Sequence, residues 1–197
     1  MADFSSRVIA LSRAAWSLRE AAPKPSALPF ALALFSDASR MDPIDEIAVQ
    51  LPTDIPPVAV IFRHDHLPEA ERMALAQHVM TCVQERGHLF LMARAEMRGA
   101  NGHHAFPSGS GLKTMPVHNE DEVIEAVAEG ADALFLSPIN GTASHPDQKP
   151  LSRGRAVALA QACPVPIFAL GGMDEHSAEA LEGTPFQGFG AIGAFAG

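Results

Sequence analysis

The chain is poor in several residue types: it has no tyrosine, one tryptophan and two cysteines. Two cysteines are too few for a disulfide framework, and both Cys82 and Cys163 fall in predicted helices, so we expect buried apolar side chains. No apolar run approaches the ~20 residues that cross a bilayer. Arg13 and Arg19 interrupt the amino-terminal segment, which argues against a signal peptide. These absences predict a cytoplasmic protein with no membrane partner.

Positive charge is scarce too. Lys and Arg total 14 against 23 Asp and Glu, a formal net charge of −9. No Lys/Arg cluster is evident, so nucleic acid is not expected as a partner. A small anionic ligand stays compatible with this charge, because a local site can oppose the overall sign. With 197 residues, 47% of them hydrophobic, the chain is predicted to be one globular domain, residues 1–197.

The first 25 residues are predicted to be an amphipathic helix followed by a linker. One apolar stripe runs along residues 4–18, and Pro23 and Pro25 end the helix. The stripe indicates a helix that covers the bottom of a barrel or an oligomer contact, with a membrane-surface helix as the weaker alternative.

Beyond the linker, short apolar strands alternate with helices. Eight strands are predicted, starting near residues 30, 58, 88, 102, 112, 133, 166 and 188. Parallel strands need crossover helices, so this alternation predicts a parallel sheet, and eight such strands predict a (β/α)₈ TIM barrel. Residues 94–101 allow only one short helical turn. Residues 107–111 are too few for a crossover helix, so the helix between strands four and five should be reduced or missing.

Polar residues near the carboxyl ends of the strands are the candidate ligand-binding groups. Gly171 and Gly172 place bare backbone before a predicted helix, where phosphate can bind, although a tight turn without a ligand gives the same pattern. The Thr142 hydroxyl could contact a ligand or bond to its own backbone. Arg63 either faces an anion or pairs with Asp37 or Asp65.

Histidine is abundant, with nine residues. His118 ends strand five and His145 follows strand six, which makes both candidates for proton transfer. His103 and His104 are adjacent on strand four, so only one can face inward. Scattered polar loop histidines and a metal cluster are the two alternatives.

The carboxyl-terminal half carries a series of short motifs in a specific order. They are Val117-His118, the segment 129–133, Ser137-Pro138-Ile139 with Thr142, the run 164–173 that ends in Gly171-Gly172-Met173, and Gly188 to Ile192. In this order they resemble the thiamine-phosphate synthase/TenI family over roughly residues 115–197. The similarity extends weakly to Ser36-Asp37 and Phe62-Arg63.

The resemblance implies a barrel of thiamine biosynthesis that binds a phosphorylated thiazole-type ligand. By position, the backbone of Gly171, Gly172, Gly193 and Ala194 would hold the phosphate, and Thr142 would match the loop after strand six. The family reaction forms thiamine phosphate and releases pyrophosphate, with Mg²⁺ held by carboxylates. Barrels of this family are often dimers, so a homodimer is one assembly that the resemblance allows.

The family's metal and pyrophosphate residues are mostly not matched. Strand three ends in Met92-Ala93-Arg94 instead of Asn-Asp, and Phe106 to Gly109 offers no acidic ligand. We therefore predict no metal ligands and expect no standard synthase catalysis. Two alternatives stay open: a non-catalytic phosphate-ester-binding homologue, and a divergent lyase or isomerase that uses His118 or His145, with Arg63 as the neighbouring charge.

Overall fold

The computed structural model describes residues 3–40, 43–141 and 149–192 of the chain. Its strands are β1 (Leu32–Phe35), β2 (Ala59–Phe62), β3 (Leu89–Ala93), β4 (Gly102–His104), β5 (Leu112–Val117), β6 (Ala133–Leu136), β7 (Ile167–Leu170) and β8 (Phe189–Ala191). Its helices are α1 (Phe4–Glu20), α2 (Ile44–Ala48), α3 (Glu69–Glu85), α4 (Glu120–Ala128), α5 (Arg153–Ala162) and α6 (Glu175–Glu179).

The eight strands form one closed barrel in chain order, and every neighbouring pair is parallel. Pairing of Leu32 with Phe189 joins β1 to β8 and closes the ring. The predicted TIM barrel is therefore confirmed. Because all strands run in one direction, their carboxyl ends meet at one face, where loops can bring functional residues together.

The barrel interior is filled by small and aromatic side chains. Alternation along β1 sends Ala33 and Phe35 inward, while Leu32 and Leu34 face the surrounding helices. The Phe35 and Phe135 ring centroids lie 5.1 Å apart, edge to face, and the next ring, Phe168, lies 5.2 Å from Phe135. Such contacts fix the interior strands and the side chains next to them.

Helix α1 is present as predicted, and its cap, its apolar face and Arg19 attach it to the barrel. The Asp3 side chain caps it by accepting from Ser6 N at 2.8 Å. Its apolar stripe, from Val8 to Leu18, is fully buried. The helix packs beside α6 and on the outside of β1. Near its end, Arg19 donates to backbone carbonyl groups at the start of β1 and before β8.

Two crossover helices are absent from the described residues, not one as predicted. The β4–β5 connection, residues 105–111, has no helix, which confirms the expectation. Residues 94–101 also have no helix, and the one turn that the sequence allowed there is limited to a hydrogen bond from Ala100 N to Met97 O at 3.2 Å. Here Asn101 N donates to Phe90 O at 2.9 Å and Asn101 Oδ1 accepts from Phe90 N at 2.9 Å. These bonds start β4 directly after a short turn and leave no room for a helix.

Smaller differences concern the carboxyl-terminal helix and the cysteines. Gly183 is a typical helix-ending residue and predicts that α6 extends to it, but the helix ends at Glu179. Both cysteines are free and only half-buried, so the expectation of buried side chains is wrong. No helix among the described residues combines the length and apolar character of a membrane span.

Candidate functional site

The turn after β7 presents two glycines in the left-handed region of backbone space, with φ +95° at Gly171 and +60° at Gly172. Within the described part of the chain, the Gly172 N–H group donates no recorded hydrogen bond, whereas the pairing of Leu170 with Gly190 directs the Gly171 N–H group toward β8. Asp174 then begins α6 through a capping box with Ser177. The Gly172 amide group thus remains available at the carboxyl end of the barrel.

The loop after β6 packs directly against this turn. Asn140 N donates to Gly171 O at 3.1 Å, and Asn140 Nδ2 donates to Gly172 O at 3.1 Å. A Cβ atom added at Gly172 would lie 2.9 Å from Asn140 Cβ. The two motifs that the sequence analysis paired are therefore in contact, and glycine is required at this approach.

Four of the predicted site residues, Thr142, His145, Gly193 and Ala194, lie outside the described residues. Their roles stay predictions.

Arg63 follows β2 and lies against the end of β1. Its Nε donates to Ser36 O at 2.8 Å, its backbone N donates to Ser36 Oγ at 2.8 Å, and Nη2 lies 3.4 Å from Asp37 Oδ2. Burial lowers the pKa of Arg63, and the opposing effect of Asp37 does not cancel it. The predicted alternative of an ion pair with Asp37 is thus present, while part of the guanidinium stays exposed at the barrel mouth.

Asp65 is held between two further arginines. Arg72, from α3, lies 2.8 Å from Asp65 Oδ1, and Arg94, which follows β3, pairs with Oδ2. Arg72 also donates to Arg63 O at 3.2 Å and to Ala93 O at 2.6 Å. This arginine therefore ties the ends of β2 and β3 together and fixes Asp65 between them.

These contacts decide whether magnesium fits. Mg²⁺ takes oxygen ligands, chiefly carboxylates and water. The carboxylates at this edge, Asp37 and Asp65, each contact two arginines. Arg94 occupies the strand end where a metal ligand was expected. Within residues 3–40, 43–141 and 149–192, no group of three or more His, Cys, Asp or Glu side chains could hold a metal ion. The residues that the structure describes therefore do not fit magnesium.

His118 ends β5 as predicted and lies at the start of α4. Its Nδ1 and its backbone N both lie 2.8 Å from Glu122 Oε2, and its side chain is 48% exposed. Asn119 caps the same helix by accepting from Glu122 N at 3.0 Å. The pairing with Glu122 ties His118 to the start of α4, which Asn119 caps. The proposed proton transfer by His118 stays a prediction.

His104, which the sequence analysis did not select, lies inside the barrel mouth. Its ring packs edge-on against Phe35 and Phe135, with centroids 5.3 and 5.7 Å away. Its Nδ1 lies 3.0 Å from Thr114 Oγ1, whose hydroxyl donates to His103 O. Burial, and then the charges of Arg63 and Arg94, lower the pKa of His104 to about 3. It is therefore a neutral imidazole near two arginines.

His64 is a second buried imidazole at this face. Its Nδ1 lies 3.0 Å from Ser36 Oγ, and its ring stacks on Phe62 at 4.6 Å. Burial lowers the pKa of His64, and His66, Arg63 and Arg72 lower it further.

Strand alternation had indicated that only one of the two neighbours on β4, His103 and His104, could face inward. That signal could have found His104, but no sequence pattern located its partner Thr114.

A closed parallel barrel whose polar residues gather at the carboxyl ends of the strands belongs to the (β/α)₈ class. The model of the thiamine monophosphate synthase family matches residues 114–195. Among solved structures, thiamine phosphate pyrophosphorylase from Pyrococcus furiosus is similar, with a TM-score of 0.66 and 18% identity over 82% of this chain and 84% of that one. The YdjI aldolase from Escherichia coli K12 gives a TM-score of 0.53 at 12% identity, covering 97% and 81%.

Sequence relatives match part of the chain. The thiamine-phosphate synthase of Prochlorococcus marinus is 34% identical over 70 residues, 36% of this chain and 20% of that protein. The Chloroflexus aurantiacus thiamine-phosphate synthase is 31% identical over 87 residues, 44% and 40%. The chain thus matches well under half the length of these relatives. Residues 114–195 are therefore similar to the thiamine-phosphate synthase/TenI family, in agreement with the resemblance noted from the sequence.

Proposed function

We propose that this protein acts in thiamine biosynthesis and binds a phosphorylated thiazole-type ligand at the carboxyl-terminal face of its barrel. The observation that carries the proposal is the turn at Gly171 and Gly172, in which the Gly172 N–H group has no recorded acceptor among the described residues. Backbone N–H groups exposed in such a turn form a concave anion-binding site. Contact with Asn140 holds this turn in place.

Residues outside the described ranges would complete the same pocket. Thr142 is proposed to contact the phosphate from the loop after β6, and the backbone of Gly193 and Ala194 to close the cup after β8. The whole chain, residues 1–197, would act as one barrel domain in the cytoplasm. A homodimer remains a prediction from the family.

The reaction to test is transfer onto the thiazole phosphate, which forms thiamine phosphate and releases pyrophosphate. If the protein catalyses it, the groups available at the mouth are Arg63, to stabilise the leaving anion, and His118 or His145, to move a proton. Because magnesium does not fit the described residues, we expect no standard magnesium-dependent turnover. A coupled assay with hydroxymethylpyrimidine pyrophosphate and thiazole phosphate tests this; a robust product signal that chelation abolishes would contradict it.

Ligand binding has a sharper test. Titration calorimetry with thiazole phosphate should show binding to the native protein and a Kd at least about tenfold weaker in Gly172→Ala, because the added Cβ would lie 2.9 Å from Asn140 Cβ. Gly130→Ala is the matched control. Gly130 also has a positive φ, +79°, but nothing lies within 4 Å of an added Cβ, and it follows α4 away from the strand ends.

The control should lose stability and keep its affinity. No binding by the native protein, or equal binding by Gly172→Ala, would contradict the proposed phosphate cup. Binding without turnover would identify a homologue that has kept the ligand site and lost the chemistry.

A further inference from the structure

Positive charge is concentrated at one sector of the barrel mouth. Arg40, Arg63, Arg72 and Arg94 surround two carboxylates, Asp37 and Asp65, so four positive charges face two negative ones. The surplus of two positive charges belongs to a chain whose formal net charge is −9. The overall composition does not explain why an acidic chain concentrates positive charge at the carboxyl face of its barrel.

The backbone of Arg94 gives independent evidence that this residue is held in place. Its φ is +56°, in the left-handed region that a non-glycine residue rarely adopts. Its N–H donates to His104 O at 2.8 Å, which fixes the position. Such conformations are unfavourable for residues with a side chain and are concentrated at functional sites, where the surrounding structure enforces them.

The side chain of Arg94 differs from its neighbours in accessibility. Arg72 is only 13% exposed and its Nη2 contacts two carbonyl groups and Asp65, whereas Arg94 is 63% exposed. Arg63 is intermediate at 30%. The structural arginine is thus Arg72, and the two with free guanidinium surface are Arg63 and Arg94.

The same residues explain why magnesium does not fit this edge of the barrel. A guanidinium presents a rigid set of N–H donors that matches the oxygens of phosphate, often in pairs. A fixed cation beside the strand end would repel a divalent metal and attract the anion directly.

We propose that Arg94, with Arg63, forms a metal-independent binding site for a phosphate-class oxyanion. The site lies at β2 and β3, and the glycine cup lies across the ring after β7. It stands on the arginine contacts alone, so it does not depend on the proposed thiazole-phosphate cup. His104, whose backbone O accepts from Arg94 N and whose ring packs on Phe35 and Phe135, would accept through Nε2 from a donor group carried by the same ligand.

The test uses inorganic pyrophosphate as the probe, titrated calorimetrically into the full chain at low salt in a phosphate-free buffer. One series contains EDTA and the other contains excess Mg²⁺. We expect binding in EDTA and no gain in affinity from magnesium, because arginine N–H groups replace the metal. Binding that requires Mg²⁺, or no binding in either series, would overturn the proposal.

Variants assign the site to Arg94. Arg94→Gln should weaken the Kd for pyrophosphate at least about tenfold, the scale of a charge-assisted bond, and Arg94→Lys should recover part of it. Arg13→Gln is the matched control, since Arg13 is an exposed arginine on α1, outside this sector. An unchanged Kd in Arg94→Gln, or an equal loss in Arg13→Gln, would also overturn the proposal.

Two further variants control for misfolding and distinguish the arginine site from the glycine cup. Arg94→Gly suits the left-handed backbone, so it should fold and still lose pyrophosphate binding. Gly172→Ala should keep pyrophosphate binding. If thiazole phosphate fails to bind the native protein while pyrophosphate binds in EDTA, the proposed function fails and the arginine site stands.

Discussion

His104 Nδ1 and Thr114 Oγ1 lie 3.0 Å apart inside the barrel. The Thr114 hydroxyl also lies 3.2 Å from His103 O, to which it donates. We therefore assign the neutral tautomer in which Thr114 Oγ1 accepts from His104 Nδ1–H, which leaves the lone pair on Nε2. A buried neutral histidine of this kind has consequences for stability as well as for binding.

The first prediction concerns acid stability. The pKa of His104 is about 3 in the folded protein against 6.5 for the unperturbed group, because burial disfavours the charged form. Between these values the unfolded chain binds a proton that the folded chain does not, so stability falls as pH drops below 6.5. Replacing His104 with Asn, which keeps a donor to Thr114, should reduce the slope of unfolding free energy against pH by up to ~1.4 kcal/mol per unit.

Urea unfolding at a series of pH values between 7 and 5 measures this slope. His176→Asn is the control, because His176 is 95% exposed on its side chain. Equal slopes in native protein and His104→Asn would show that His104 is not buried as a neutral group. A residual slope is expected in any case, because burial also lowers the pKa of His64 and of His88.

The second prediction concerns Ala105, which follows β4 with a φ of +53°. Its N–H donates to Thr114 O at 2.9 Å, so the backbone cannot relax out of the left-handed region. Ala105→Gly should raise the unfolding free energy by about 1 kcal/mol, because glycine carries no Cβ penalty there. Ala74→Gly, on the exposed side of α3, should lower it by about 1 kcal/mol. Thermal or urea unfolding measures both effects. Equal destabilisation by the two substitutions would show that the backbone of Ala105 is not strained.

The third prediction concerns Arg19 at the start of the barrel. Its guanidinium donates to Gln187 O at 3.0 Å, to Leu28 O at 2.7 Å and to Phe30 O, and lies 4.7 Å from the Trp16 ring centroid. Burial lowers the pKa of Arg19 to about 10, which leaves it charged at neutral pH. Arg19→Met keeps the apolar contacts but removes every donor, so it should cost at least ~2 kcal/mol.

Chemical denaturation measures this cost, and Arg13→Met, on the exposed side of the same helix, should change stability by less than ~0.5 kcal/mol. A similar small effect at Arg19 would mean that water replaces its donors at the three carbonyl groups.

The sequence predicted the barrel because strand and helix periodicity is local, and residues such as Gly171 and Asp174 signal their turns within a few positions. It also located Arg63, since strand ends can be read from the chain. It did not predict that Arg72 on α3 ties Asp65 to the end of β3, because that contact joins three elements. The pairing of Asn101 with Phe90, which leaves no room for a crossover helix, also joins separate segments of the chain. The sequence therefore did not predict it.

The last prediction tests the competition at the arginine site. Asp65 pairs with both Arg72 and Arg94, so its carboxylate occupies the guanidinium that we propose binds an oxyanion. Asp65→Asn removes one negative charge and frees Arg94, and the Kd for pyrophosphate in EDTA should fall about threefold to tenfold. The variant should also be less stable, because Arg72 is only 13% exposed and loses its charged partner.

Asp54→Asn gives the same change in net charge at an exposed residue before β2, away from the carboxyl ends of the strands. Calorimetry at two salt concentrations separates the two effects, since a general charge effect would tighten binding equally in both variants and vanish at high salt. Weaker binding in Asp65→Asn would mean that Asp65 positions Arg94 for the anion instead of competing with it. Tighter binding in Asp65→Asn alone would establish that the carboxylate and the anion use the same guanidinium.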